Sequence, residues 1–159
     1  MRGGAHSSTL PVSALEDHVG FWLRFVSNHV SSRFRGLVEA NGVTVSEWVA
    51  LRQLYHSEQP SSPRALIEAL GMTKGAVSKV LDRLERKGLA ERRSDPEDGR
   101  AQGVLLTAKG RRWVPRLAAL ADENDAHFFD ALAPAARREL TSILRELVRV
   151  HALKQVPTE

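Results

Sequence analysis

One stretch of the chain, from Thr73 to Arg86, combines residue types that can hydrogen-bond base edges and phosphates. Its Val77, Val80, Leu81 and Leu84 recur at the spacing of one helix face, which predicts a helix with one buried side. The residues left for the opposite side are Thr73, Lys74, Gly75, Ser78, Lys79, Asp82, Arg83 and Arg86. Serine donates and accepts, lysine reaches guanine acceptors or phosphates, and glycine leaves room for a close approach. The pattern predicts a helix that enters the major groove of DNA, with an ordinary amphipathic helix as the alternative.

A charged loop follows this helix. Leu89–Arg93 and Gly103–Thr107 flank a long connection rich in turn residues, which predicts a β-hairpin. Asp98 lies two residues before Arg100, so its carboxylate can orient a guanidinium at the loop tip. An arginine presented in this way suits a narrow minor groove with its enhanced negative potential. A surface hairpin carrying a salt bridge is the alternative.

Two shorter helices are predicted before the candidate reading helix. The run Thr44-Val45-Ser46-Glu47 has the form of a capping box and predicts a helix start. A second helix is predicted over Pro63–Leu70, with Ser62 as its cap and Gly71 as its stop. Arg64 in its first turn is a candidate phosphate contact. The order of helix, turn, helix, strand, loop and strand predicts a helix-turn-helix with a wing over residues 44–107.

Both ends of the chain carry long helical patterns. The first begins near Leu15, shows apolar residues on nearly all sides, and ends at Asn41-Gly42. The second begins at Thr107 and runs to about Asp130, with a kink or bend expected at Pro115. A last helix is predicted from Pro134, where a near-heptad apolar face is formed by Leu140, Leu144, Leu147 and His151. A helix that is apolar all round must be buried all round, and a second copy of the chain is the economical cover. These patterns predict a homodimer.

Composition narrows the function classes. The chain has 159 residues, a net charge of +4 and no cysteine, which excludes disulfides and thiolate chemistry. Residues 61–112 carry a net charge of +5 and the remainder −1, an asymmetry that favours a polyanionic partner. Residues 1–11 are expected to be a disordered tail. Without a recognisable signal peptide or apolar span, a cytoplasmic protein with no membrane contact is expected. No catalytic motif appears, so we expect no enzyme and no cofactor.

These residues resemble the MarR family of bacterial transcription regulators over most of the chain, from about Leu15 to Leu153. The most specific portion runs from Leu70 to Leu89, followed by Asp95–Arg100 and Leu105–Gly110. The resemblance implies a mainly α fold with a small β-hairpin wing. It also implies a single domain over residues 12–153, in which residues 12–41 and 108–153 form dimerisation helices. The family implies a homodimer that binds a pseudo-palindromic operator in double-stranded DNA, usually as a repressor.

Many members of this family release DNA on binding a small anionic aromatic compound. Candidate residues for such an effector pocket, between the first two helices, are His18, Trp22, His29, Trp48 and Arg52. Residues of these types are more often plain core or boundary residues, which is the alternative interpretation. The six histidines show no paired short spacing, so no metal site is expected. The alternative function is an architectural or silencing DNA-binding protein that responds to no effector.

Overall fold

The computed structural model describes residues 12–57, 59–94 and 102–154. They form six α-helices and one antiparallel hairpin. In chain order these are α1 (Val19–Ala40), α2 (Val45–Tyr55), α3 (Pro63–Leu70), α4 (Lys74–Arg86), β1 (Ala90–Ser94), β2 (Gln102–Leu106), α5 (Ala108–Phe129) and α6 (Pro134–Val150). The predicted mainly α fold with a small hairpin is confirmed.

Residues 44–107, which we call the central lobe, contain α2, α3, α4 and the hairpin. Side-chain caps begin the helices of this lobe where the sequence predicted them. Thr44 and Glu47 form the reciprocal capping box at the start of α2. The Ser62 hydroxyl accepts a hydrogen bond from the backbone amide of Ala65 at the start of α3. The Thr73 hydroxyl accepts one from the amide of Ala76 at the start of α4. The start of α6 at Ala133 has no side-chain cap, because alanine has no oxygen to accept a backbone amide.

The first long helix begins later than predicted. Leu15–Asp17 form a short 3₁₀ turn, and α1 starts at Val19 after an extended His18. The Asp17 carboxylate accepts the Ala14 amide at 3.0 Å, and the Trp22 indole donates to the Glu16 carbonyl at 2.9 Å. These local bonds satisfy backbone groups without an extra helical turn. By contrast α5 continues through Pro115 as one element of 22 residues.

The core lies in the central lobe. Leucines and valines of α2, α3 and α4 pack together with Leu89, Val104 and Leu106, and Val38 of α1 and Val114 and Leu117 of α5 close one side. α6 buries none of its residues. Its apolar face is therefore left uncovered by the described residues of one chain.

Pairing of the two strands places Ala90 opposite Leu106 and Arg92 opposite Val104. A further strand-like contact comes from Ser61, whose amide and carbonyl exchange 2.9 Å hydrogen bonds with Val104. Gly103 is required here, because a Cβ at this position would lie 2.2 Å from the Cβ of Pro60. The base of the wing is thus joined to the segment that precedes α3.

Candidate nucleic-acid interface

Helices α3 and α4 are joined by a tight turn that sets their relative direction. Gly71 ends α3 in the left-handed conformation at φ 61°, which glycine adopts without strain. Thr73 then caps α4 after only Met72. This is the helix-turn-helix that the sequence predicted, and the hairpin β1–β2 follows α4 directly. The arrangement defines a winged helix-turn-helix protein.

The two sides of α4 are divided as the sequence predicted. Val77, Val80, Leu81 and Leu84 are buried, each at most 2% exposed. The exposed side carries Thr73, Lys74, Gly75, Ser78, Lys79, Asp82 and Arg86. A Cβ added to Gly75 would meet no atom within 4 Å, so the fold of this chain leaves space there. The structure therefore brings most of the candidate reading residues onto one open surface.

Some basic side chains of the central lobe form salt bridges and others do not. Arg64 pairs with Glu68 on α3 at 3.0 Å, and Arg93 pairs with Glu91 on β1 at 2.6 Å. Among the described residues, Lys74, Lys79 and Arg86 have no acidic partner within salt-bridge distance. Arg86 donates only to the carbonyl of Asp82 in its own helix. These three cations span roughly 18 Å along α4, at 1.5 Å per residue.

Arg92 attaches the wing to α4. Its guanidinium bridges Asp82, at 2.8 Å, and Glu85, while its backbone amide donates to the Glu85 carboxylate at 3.0 Å. The strand that leads into the wing is therefore held in a fixed direction relative to the reading face. The predicted tip residues Asp98 and Arg100 lie outside the described residues.

Arg83 has a partner that the sequence did not predict. Its Nε donates to Oε1 of Glu47 on α2 at 3.0 Å, and Lys87 donates to Oε2 of the same carboxylate at 2.6 Å. Glu47 is completely buried. Burial by itself would raise the pKa of Glu47. Hydrogen bonds from Lys87 and the Thr44 amide, the Lys87 charge and the Arg83 hydrogen bond outweigh burial and lower the pKa below its ordinary value.

The lowered pKa of Glu47 predicts an acid-dependent loss of stability. A depressed folded-state pKa contributes stability that is present above the unfolded value of 4.5 and is lost as the pH falls below it. Glu47→Gln should destabilise the protein by about 1–3 kcal/mol at pH 7, and by less at pH 4. Urea unfolding at several pH values measures the difference between parent and variant. A difference that stays constant between pH 7 and pH 4 would contradict the role given to the charge.

The predicted effector residues fall into separate groups. His18, which precedes α1, and Trp22 and His29 on α1 are exposed, and Phe25 stacks against His29 at a ring distance of 4.7 Å. Trp48 is 8% exposed on α2, with Arg52 over its ring at 5.8 Å. The described aromatic contacts join Trp48 to Phe34 of α1 but not to Trp22 or His29. The effector pocket stays a prediction.

The described part of the chain contains neither a membrane-spanning helix nor a metal-binding cluster. No helix of residues 12–57, 59–94 or 102–154 is both long and apolar enough to cross a membrane. Within the same ranges, no group of three or more His, Asp or Glu side chains is placed to hold a metal ion.

Comparisons with known proteins agree with this architecture. A family model described as the MarR family matches residues 41–101. Transcriptional regulator HosA of Escherichia coli O111:H- is 32% identical over 84 residues, which cover 53% of this chain and 62% of HosA. The matched segment thus spans about three fifths of the length of that relative.

Solved structures extend the likeness to most of the chain. A probable transcriptional regulator from Pseudomonas aeruginosa is 29% identical with a TM-score of 0.72, and the match covers 84% of this chain and 99% of that one. The S. aureus MepR–DNA complex, at 23% identity and a TM-score of 0.72, covers 84% and 98% and has the same fold. Residues 41–101 thus match the MarR family, and the solved structures extend the similarity in fold to most of the chain.

Proposed function

We propose that this chain is a homodimeric transcriptional regulator that binds a pseudo-palindromic site in double-stranded DNA, most simply as a repressor. The observation that carries the proposal is the exposed side of α4. There, Lys74, Lys79 and Arg86 face solvent with no acidic partner among the described residues, beside the small residues Gly75 and Ser78. Unneutralised cations attract phosphates, and small polar residues let a helix approach base edges. MepR, which has the same fold, was solved in complex with DNA.

The homodimer is supported by apolar side chains that the described residues of one chain leave uncovered. On α6, Ile143, Leu144, Leu147, Val148 and Val150 are 38–59% exposed. On α1, Val19, Trp22, Leu23, Phe25 and Val26 are 43–82% exposed. Contiguous apolar surface of this kind marks an interface. A two-fold partner would supply the second reading helix that a pseudo-palindromic site requires.

Substitutions on α4 should separate specificity from affinity. Ser78→Ala and Lys79→Ala should change the preferred DNA sequence, because each lost base contact is worth about 1–3 kcal/mol of discrimination. Arg86→Ala should weaken binding to all sequences alike if Arg86 contacts a phosphate. Selection from a random duplex library, with each variant and the parent, gives the consensus sequences. An unchanged consensus for both Ser78→Ala and Lys79→Ala would remove α4 from base recognition.

The same selection distinguishes the alternative of an architectural or silencing DNA-binding protein. A regulator of particular genes should return a compact consensus and bind it about a thousandfold or more tightly than unrelated DNA. An architectural protein should return only a weak compositional preference. The basic face of α4 is compatible with both, but the small polar residues beside the cations favour the first.

We further propose that a small anionic aromatic effector binds near α1 and α2 and releases the DNA. Its support is the aromatic and cationic content of these helices, with Arg52 over Trp48 and the exposed His29. An aromatic acid present at about a hundred times its Kd should stabilise the folded protein by about 2.7 kcal/mol. A thermal-shift screen of aromatic acids tests this proposal. Effectors that raise the melting temperature should also weaken DNA binding, and compounds that do only the former would contradict regulation through this site.

A further inference from the structure

Glu47 is a buried carboxylate that no DNA contact explains. It lies in the first turn of α2 and is 0% exposed. Its oxygens accept hydrogen bonds from the Thr44 amide at 2.9 Å, Arg83 at 3.0 Å and Lys87 at 2.6 Å. A buried charge is tolerated only when its bonds are satisfied in this way.

The two cations that meet Glu47 belong to the C-terminal end of α4. Arg83 is one helical turn beyond Lys79 in the same i, i+4 row, and Lys87 is the next residue of that row and the C-cap of the helix. Lys87 also donates to the carbonyl of Gly42 at 2.8 Å, in the turn between α1 and α2. The row that carries Lys79 is therefore anchored at its far end to two other parts of the fold. Together with the buried side of α4, this anchoring sets the rotation of the helix about its axis.

The same bonds keep two positive charges occupied. The side chains of Arg83 and Lys87 are 39% and 35% exposed, so solvent reaches both. A lysine or arginine that is free to reach phosphates adds affinity for any DNA sequence. Base contacts, by contrast, require a fixed geometry of the reading helix.

We propose that Glu47 is a positioning residue of the reading helix and that it sets the ratio of specific to non-specific DNA binding. It orients α4 through Arg83 and Lys87, and it withholds both cations from the phosphate backbone. Loss of its charge lowers the affinity for the preferred sequence and preserves or raises the affinity for other sequences. This inference rests on the proposed DNA-binding function.

The test uses Glu47→Gln in the full-length protein and two duplexes of equal length. One duplex carries the sequence selected by the parent protein, and the other carries a scrambled version. The ratio of the two affinities should fall about tenfold in Glu47→Gln, comparable to the loss of one base contact. On the scrambled duplex, the salt dependence should become steeper by about 0.9 for each cation released to a phosphate. A purely stabilising residue would move neither quantity once the protein is folded.

The matched control is Glu68→Gln, which removes a carboxylate from the exposed pair with Arg64 on α3. Both duplexes should then bind slightly more tightly, and their ratio should change less than about twofold because an exposed pair positions little. Lys87→Met is the second variant, since it keeps the Arg83–Glu47 bond and releases no cation. It should weaken binding to the selected duplex about threefold, a fraction of one base contact, and leave the scrambled duplex unchanged.

The possible outcomes test the proposed DNA-binding function and the positioning role of Glu47 separately. A parent protein that binds both duplexes equally would refute the proposed function itself. A discriminating parent together with a folded Glu47→Gln that keeps the parental ratio would refute the role of Glu47. If Glu47→Gln does not fold, an unchanged ratio in Lys87→Met would refute that role, and a reduced ratio supports it.

Discussion

Replacing Leu147 with aspartate is expected to convert the protein from a dimer into monomers. Leu147 lies on the apolar face of α6, 42% exposed in one chain, next to Leu144 at 38% and Ile143 at 53%. In the proposed dimer these side chains are buried, and an unpaired carboxylate there costs about 4 kcal/mol, or about a thousandfold in the dimerisation constant. Light scattering should give the mass of a single 17.6 kDa chain at micromolar concentration, against twice that mass for the parent.

DNA affinity should fall together with the dimer. A monomer presents one reading helix and loses the advantage of binding two half-sites at once, which is about 10²–10⁴-fold. Leu144→Asp should behave in the same way. Ser142→Asp introduces the same charge on the opposite side of α6 and should leave both mass and affinity unchanged. A dimeric Leu147→Asp would show that this face of α6 has no part in dimerisation. A monomeric parent protein would refute the proposed dimer.

The local signals in the sequence were sufficient for most of the fold. Thr44, Ser62, Thr73 and Thr107 each begin a helix where predicted, because a capping hydroxyl acts within three residues of itself. The buried side of α4 followed from its periodicity alone. The late start of α1 at Val19 was not predicted, because apolar periodicity continues through Leu15 while the local bonds of Asp17 do not follow from it.

The contacts that organise the candidate site could not be predicted, because they join residues far apart in the chain. Glu47 was recognised as part of a capping box, but its bond to Arg83 spans 36 positions. The sequence placed Arg83 among the DNA contacts by its position on the helix face. The structure gives it a buried partner, so a phosphate contact by Arg83 stays a prediction that now competes with that bond.

A similar long-range contact lies outside the central lobe, between α1 and α5. The side-chain amide of the buried Asn124 on α5 donates through Nδ2 to the Val30 carbonyl of α1 at 3.2 Å. Its Oδ1 accepts a hydrogen bond from Arg33 at 3.2 Å. A buried amide with specific partners favours a single alignment of two helices. Periodicity predicts that α1 and α5 have apolar faces, but it does not show which polar side chains fix their relative position.

Gly110 lies where α5 packs closely against the central lobe. It is the third residue of α5, and its amide donates to the Thr107 hydroxyl at 3.0 Å. A Cβ at Gly110 would lie 2.0 Å from the carbonyl oxygen of Leu89, the residue that leads from α4 into the wing. That carbonyl also accepts the Thr107 amide at 3.1 Å, and the Thr107 hydroxyl donates to Gly88 at 2.7 Å. The clash therefore falls on backbone that is already bonded on several sides.

Gly110→Ala is accordingly expected to destabilise the protein by about 3 kcal/mol, because the inserted methyl group displaces hydrogen-bonded backbone in a packed region. The melting temperature should fall by about 6–12 °C for a chain of this size. Gly36→Ala is the matched control: Gly36 is an exposed residue of α1, and its added Cβ would meet no atom within 4 Å. This control should gain about 0.5–1 kcal/mol from helix propensity alone. Calorimetry of the two variants measures both melting temperatures. Equal stabilities would mean that a Cβ at Gly110 does not clash with the Leu89 carbonyl oxygen at 2.0 Å.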